Sequence, residues 1–172
     1  MRASPVANKA RRLEKHVNRC SRFTGGCSCG EVRYRLLNTP LFVHACHCLD
    51  CQKASGSAFR ITTIVLERDI VINQGDVSFR KISTQRTEFI CKSCGDVIYR
   101  TATNHPATAL LKSRTLDDVR VLEIGAHIWT EDKHAWLELP ADVPQFEKGY
   151  DRNEVWPQES LERLRRREAK TG

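Results

Sequence analysis

Three cysteines fall within six positions, Cys46, Cys48 and Cys51, inside the stretch VHACHCLDCQKASGSAF at 43–59. Two further groups carry the same kind of spacing: Cys27 and Cys29 in GGCSCG, and Cys91 and Cys94 in CKSCGD. Thiolates this close together suit a tetrahedral ion, because a metal–sulfur bond of about 2.3 Å lets one tight turn present two ligands. Glycines flank the groups and permit the positive-φ bends that aim two sulfurs at one point. Two pairs complete a four-thiolate site, so Cys27, Cys29, Cys91 and Cys94 are expected to hold one structural zinc. Such a site ties the start of the fold to its middle, and metal affinity then becomes folding free energy.

Cys46, Cys48 and Cys51 remain, with three ligands. Catalytic zinc keeps an exchangeable fourth position, whereas structural zinc is closed. His44 or His47 could close the set. His47 lies between two of the cysteines, where ring and sulfur geometry compete, and His44 is the better placed. Spacing alone supports open and closed sites equally.

With 172 residues the chain has room for one domain with a proper core. It contains no apolar run of the roughly 18 residues that a membrane span needs. The N-terminal MRASPVANKARRLEKHVNRC lacks the apolar stretch of a secretory signal. A cytoplasmic, reducing location is therefore expected, where clustered cysteines mean metal or catalysis rather than disulfides. The net charge of +7 sits at the ends: residues 1–22 carry +6 and 157–172 carry +2, so the body is nearly neutral. A folded nucleic-acid surface would put a basic stripe on the body. The arm at 1–22 is read as flexible and solubilising, with only weak contact to polyanions, and Cys20 within it as a free thiol. The organisation expected is a basic arm at 1–22, a zinc domain at 23–150 and a partly helical tail at 151–172.

After the arm, short strands alternate with turn residues. Val32, Tyr34 and Leu36 alternate with Arg33 and Arg35, a period of two that suits a half-buried strand. Strands are also expected at 59–66, around 77–82, at 97–101 and at 107–111. Helix is expected only at 48–54 and 159–169. The fold class is mainly β, antiparallel, with short helical pieces.

GGCSCGEVRY (25–34), CHCLDCQKASGSAF (46–59), CKSCGDVIYR (91–100), TLDD (115–118) and AHIWTEDKHAWLEL (126–139) follow one another in a characteristic order. In that order the chain resembles the glutathione-dependent formaldehyde-activating enzymes, a grouping that also contains the centromere protein V domain. The resemblance runs from about Phe23 to Phe146. It implies an Mss4-like irregular β fold organised around two zincs. It assigns the structural zinc to Cys27, Cys29, Cys91 and Cys94, and a catalytic zinc with an open position to Cys46, Cys48 and Cys51. It also implies a carbon–sulfur lyase-type reaction, in which glutathione and formaldehyde combine to S-hydroxymethylglutathione or the adduct is cleaved.

Supporting residues follow from their positions. His47 could orient a thiolate or move a proton, its ordinary pKa lying near 6.5. Ser55, Gly56 and Ser57 could present donors to the substrate, or simply end the short helix. Arg60 and Lys53 could pair with glutathione's carboxylates. His127 and Trp129 are expected to pack behind the site. A contrasting reading is a binding module with two structural zincs, its basic arm touching nucleic acid or cytoskeletal polymer. A thiol sensor is the third.

Overall fold

The computed structural model describes residues 22–169, so Cys20 and nearly all of the basic arm lie outside the described residues. In chain order the strands are β1 (Thr24–Gly26), β2 (Arg33–Leu36), β3 (Phe42–Cys46), β4 (Arg60–Leu66), β5 (Ile70–Gln74), β6 (Val77–Lys81), β7 (Arg86–Cys91), β8 (Val97–Ala102), β9 (Thr108–Lys112), β10 (Ala126–Ile128) and β11 (Gln145–Phe146). Helix α1 (Leu49–Ser55) follows β3, and α2 (Arg152–Val155) and α3 (Gln158–Glu168) end the chain.

The strands form two sheets, one ordered β1-β2-β5 and an eight-stranded one ordered β11-β10-β3-β4-β9-β8-β7-β6. The protein is mainly β, as its alternating strands require. One departure from the antiparallel expectation is β10, which runs parallel to both β3 and β11. Parallel neighbours need a long crossover, and the chain from 47 to 125 supplies one.

The two sheets pack face to face. Val32, Tyr34 and Leu36 alternate inward from β2 and meet Val65, Ala109 and Leu111 of the large sheet in one core. Gly25 sits at the closest approach, where a Cβ would run into the Thr115 carbonyl and the Tyr34 ring. Only glycine allows the backbone in that close. The Tyr34 hydroxyl lies 2.8 Å from Thr115 Oγ1, which satisfies both buried groups.

The opposite face of the large sheet is divided. At one end Phe42, Ile64 and Leu66 are covered by Trp156, Leu161 and Leu164 from the C-terminal helices. Burying each leucine contributes about 1.5–3 kcal/mol, and Phe42 stacks on Trp156 with ring centroids 5.8 Å apart. Arg163 fixes the helix from its side, donating to the Thr39 carbonyl at 2.8 Å and pairing with buried Asp69. At the other end the same sheet face is left open as a cleft.

Candidate metal centres

The first centre joins two knuckles, one from each sheet. Cys27 and Cys29 leave the end of β1, while Cys91 ends β7 and Cys94 occupies the turn after it. Gly30 at φ 79° and Gly95 at φ 75° close the two turns. The Gly30 amide donates to the Cys27 carbonyl at 3.1 Å, and the Gly95 amide to the Cys91 carbonyl at 2.9 Å. Asp96 links the knuckles by accepting from the Ser28 amide at 2.8 Å and its hydroxyl at 2.5 Å.

The four sulfurs lie within 4.8 Å of one another. Cys27 and Cys29 sulfurs are 3.3 Å apart, and those of Cys29 and Cys91 3.9 Å. A zinc tetrahedron with arms of about 2.3 Å has edges of about 3.8 Å, whereas a disulfide needs about 2 Å. The thiols are free and the donor set fits a zinc-type ion. Burial acts to raise the Cys27 pKa, but the Val32 amide and the neighbouring thiols outweigh it and pull the group down to about 6. An amide that bonds a sulfur stabilises its anion, the form that binds metal.

The second centre is built on the junction of β3 and α1. Cys46 ends β3, Cys48 is the N-cap of α1 and Cys51 lies in its first turn. The Cys51 amide donates to the Cys48 sulfur at 3.4 Å, and the Cys46 and Cys48 sulfurs are 3.5 Å apart. The three sulfurs lie within 4.8 Å of one another, and among the described residues no histidine or carboxylate joins them. His44 presents Nδ1 to the Tyr150 hydroxyl at 3.1 Å. His47 turns inward, fully buried, with Nε2 2.9 Å from His127 Nδ1 and its own Nδ1 unpartnered. Burial first, and then nearby His127 and Lys133, lower its pKa to about 4. Gln52 locks the junction by donating to the carbonyls of His47 at 2.6 Å and Asp132 at 2.9 Å.

A cleft of about 540 Å³ opens beside these thiols and is walled by residues from β3, β4, α1, β7, β8 and the loop after β10. Arg60 stands directly opposite Cys46 in the β3–β4 register, and so shares its sheet face. The bond with Cys46 comes first among the influences lowering Cys51 to about 6, and the Arg60 guanidinium adds to it against the effect of burial.

The model of the glutathione-dependent formaldehyde-activating enzyme family matches residues 22–132. The chain belongs to that family. Among solved structures, a Rhodobacter sphaeroides protein is 20% identical, covering 59% of this chain and 96% of that chain, with a TM-score of 0.46. No curated protein matches the chain. In this formaldehyde-activating family member the matched segment contains both cysteine groups and stops before the C-terminal helices that cover half of the sheet face.

Not every residue singled out from the sequence reaches the cleft. Ser55, Gly56 and Ser57 are exposed at the end of α1 and lie outside the cleft lining. Gly56, at φ 60°, is the helix C-cap, and Ser55 Oγ donates to the Cys51 carbonyl at 2.7 Å. Lys53 is exposed and also outside the lining. His127 is buried in β10, whereas Trp129 faces the cleft, 37% exposed. Its φ of 56° is costly for a bulky residue, and the Trp129 amide is held by the Lys148 carbonyl at 2.9 Å. Arg86 and Arg100 line the cleft as well. No motif marked Arg86, and Arg100 only closes the block 91–100; the strand order β4-β9-β8-β7 carries them to a thiol site whose first cysteine, Cys46, lies 40 and 54 residues earlier in the chain.

Proposed function

We propose that this protein is a zinc-dependent carbon–sulfur lyase-type enzyme acting on a thiol–aldehyde adduct such as S-hydroxymethylglutathione. The observation that carries this reading is a group of three free thiols with no fourth protein ligand among the described residues, opening on a cleft large enough for a small organic ligand. The zinc would be held by Cys46, Cys48 and Cys51, and a second, structural zinc by Cys27, Cys29, Cys91 and Cys94. At the three-cysteine site the ion supplies Lewis acidity toward a substrate thiol or an aldehyde oxygen.

In the synthetic direction the thiol sulfur bonds to the aldehyde carbon, the carbonyl π pair moves to oxygen, and the thiol proton ends on that oxygen. The chain contributes position and charge. Arg60 on the same sheet face offsets the negative charge of three thiolates. Gln52 fixes the ligand turn, and the His47–His127 pair anchors it to β10 from behind. Trp129 and Leu110 supply apolar cover over the reacting groups.

The test is cobalt substitution followed by addition of glutathione, together with exchange NMR of labelled formaldehyde. A new thiolate-to-cobalt band and an adduct that forms faster than in buffer, both lost in Cys48→Ser, are the expected result. Two saturated cobalt sites that ignore glutathione, with adduct formation at the buffer rate, would leave both clusters structural.

A further inference from the structure

The open half of the large sheet presents an uneven set of charges. Directly opposed residues of neighbouring strands share a face. Through the pairs Cys46–Arg60, Arg100–Glu88 and Ala102–Arg86, a thiol ligand on β3 stands on the same face as arginines on β4, β8 and β7. Two cations on this face already share one carboxylate. Glu88, 4% exposed at its side chain, accepts from Arg100 Nε at 2.7 Å through one carboxylate oxygen and from Arg80 Nη2 at 2.5 Å through the other. Arg60 and Arg86 are different: both line the cleft, and neither has a carboxylate partner among the described residues.

Spacing separates their roles. Arg60 is one strand from Cys46, and Arg86 is three strands beyond Arg60 in the order β4-β9-β8-β7. At about 4.8 Å per strand, three steps come to roughly 14 Å across the sheet. The register sets Arg86 level with Leu66, six residues or roughly 20 Å along β4 from Arg60. The two long side chains span about half of the resulting backbone separation of about 24 Å. An extended tripeptide reaches about 10 Å. A single amino acid held by its sulfur at the cysteines is too short to meet Arg86.

Deepening the proposed function, on which it rests for the place of the sulfur, we propose that Arg60 and Arg86 are the specificity-determining residues of this cleft. They receive carboxylates of a peptide-sized thiol, one close to the sulfur and one remote from it. A guanidinium suits this task because its fixed fork accepts a carboxylate in two parallel bonds.

The experiment uses S-methylglutathione, which keeps both carboxylates and has no free thiol, titrated into the full-length metal-loaded protein by calorimetry. Its diethyl ester and S-methylcysteine serve as comparisons. S-methylglutathione is expected to bind at least tenfold more tightly than its diester. Arg60→Gln and Arg86→Gln should each weaken it about tenfold or more, with thermal midpoints unchanged. S-methylcysteine should respond to Arg60→Gln and not to Arg86→Gln. Equal binding of acid and diester to the unmodified protein, absence of binding at millimolar concentration, or variants that bind as tightly as the parent would overturn the proposal. Because the ligand carries no thiol, arginine-dependent binding stands even if cobalt shows no thiolate band, which would instead refute the enzyme reading.

Discussion

His47 Nε2 and His127 Nδ1 meet at 2.9 Å in a fully buried contact that joins the ligand turn after β3 to the parallel strand β10. One imidazole donates and the other accepts, and the Nδ1 of His47 is left without a partner. A histidine set between two of the three clustered cysteines thus turns into the core and anchors the turn that carries them.

His127→Ala removes that anchor and orphans the second ring nitrogen of His47. An unsatisfied buried group costs about 1–3 kcal/mol. The expected result is a lower denaturation midpoint and faster metal release from the three-cysteine centre, read with a colorimetric zinc indicator. Unchanged release would confine the pair to a packing role.

The two centres should differ in how they hold metal. Under a chelator, one equivalent should leave quickly and the second slowly, because three thiolates with an exchangeable position hold an ion less firmly than four. Cys91→Ser should abolish the slow fraction and lower the thermal midpoint by 10 °C or more, about 3–5 kcal/mol for a chain of this size. Cys48→Ser should abolish the fast fraction with a smaller shift. Equal release rates in the parent protein would contradict an open second site.

Glu88 should make stability depend on acid. Burial alone would raise its pKa, but the bonds to Arg80 and Arg100 outweigh it and hold the carboxyl below its ordinary value near 4.5. A depressed folded-state pKa gives stability that is present above the ordinary value and is lost as pH falls through the folded one. Glu88→Gln is therefore expected to be less stable than the parent at pH 7, by about 1–3 kcal/mol, and the gap should narrow as pH falls below the ordinary carboxylate value near 4.5. Urea midpoints across pH 3–7 check this, and a gap that shows no narrowing toward low pH would assign the loss to packing.

Gly25→Ala should be among the most damaging single-atom additions. Its Cβ would meet backbone, the Thr115 carbonyl, as well as the Tyr34 ring, and backbone cannot swing aside. Overpacking of this kind costs about 1–3 kcal/mol, occasionally more. Gly149→Ala, where a Cβ meets nothing within 4 Å, is the matched control and should leave the urea midpoint unchanged.

Much of the architecture was legible along the chain. The alternation of Val32, Tyr34 and Leu36 marked β2, and the β-branched run before Leu66 marked β4, because a two-residue period is a local property of the backbone. β1, β10 and β11 were not legible, being two or three residues long and too short to show a period, and partners distant in sequence define them. β3, β5 and β7 were not expected either. The helix expected at 159–169 is α3 at Gln158–Glu168, but that its leucines seal half of the sheet face could not be read from its own pattern.

The cysteine spacings by themselves pointed to two groups, since thiols on one short turn are presented to a common point, and the structure gathers both groups as those spacings suggested. They left open whether a histidine completes the second set. Tertiary structure decided that, by engaging His44 with Tyr150 and His47 with His127, partners 106 and 80 residues away. It also decided what stands across from the thiols. Strand order and register, which depend on burying the opposite face against the smaller sheet, bring Arg60, Arg86 and Arg100 to one cleft, and no local signal in the chain encodes that meeting.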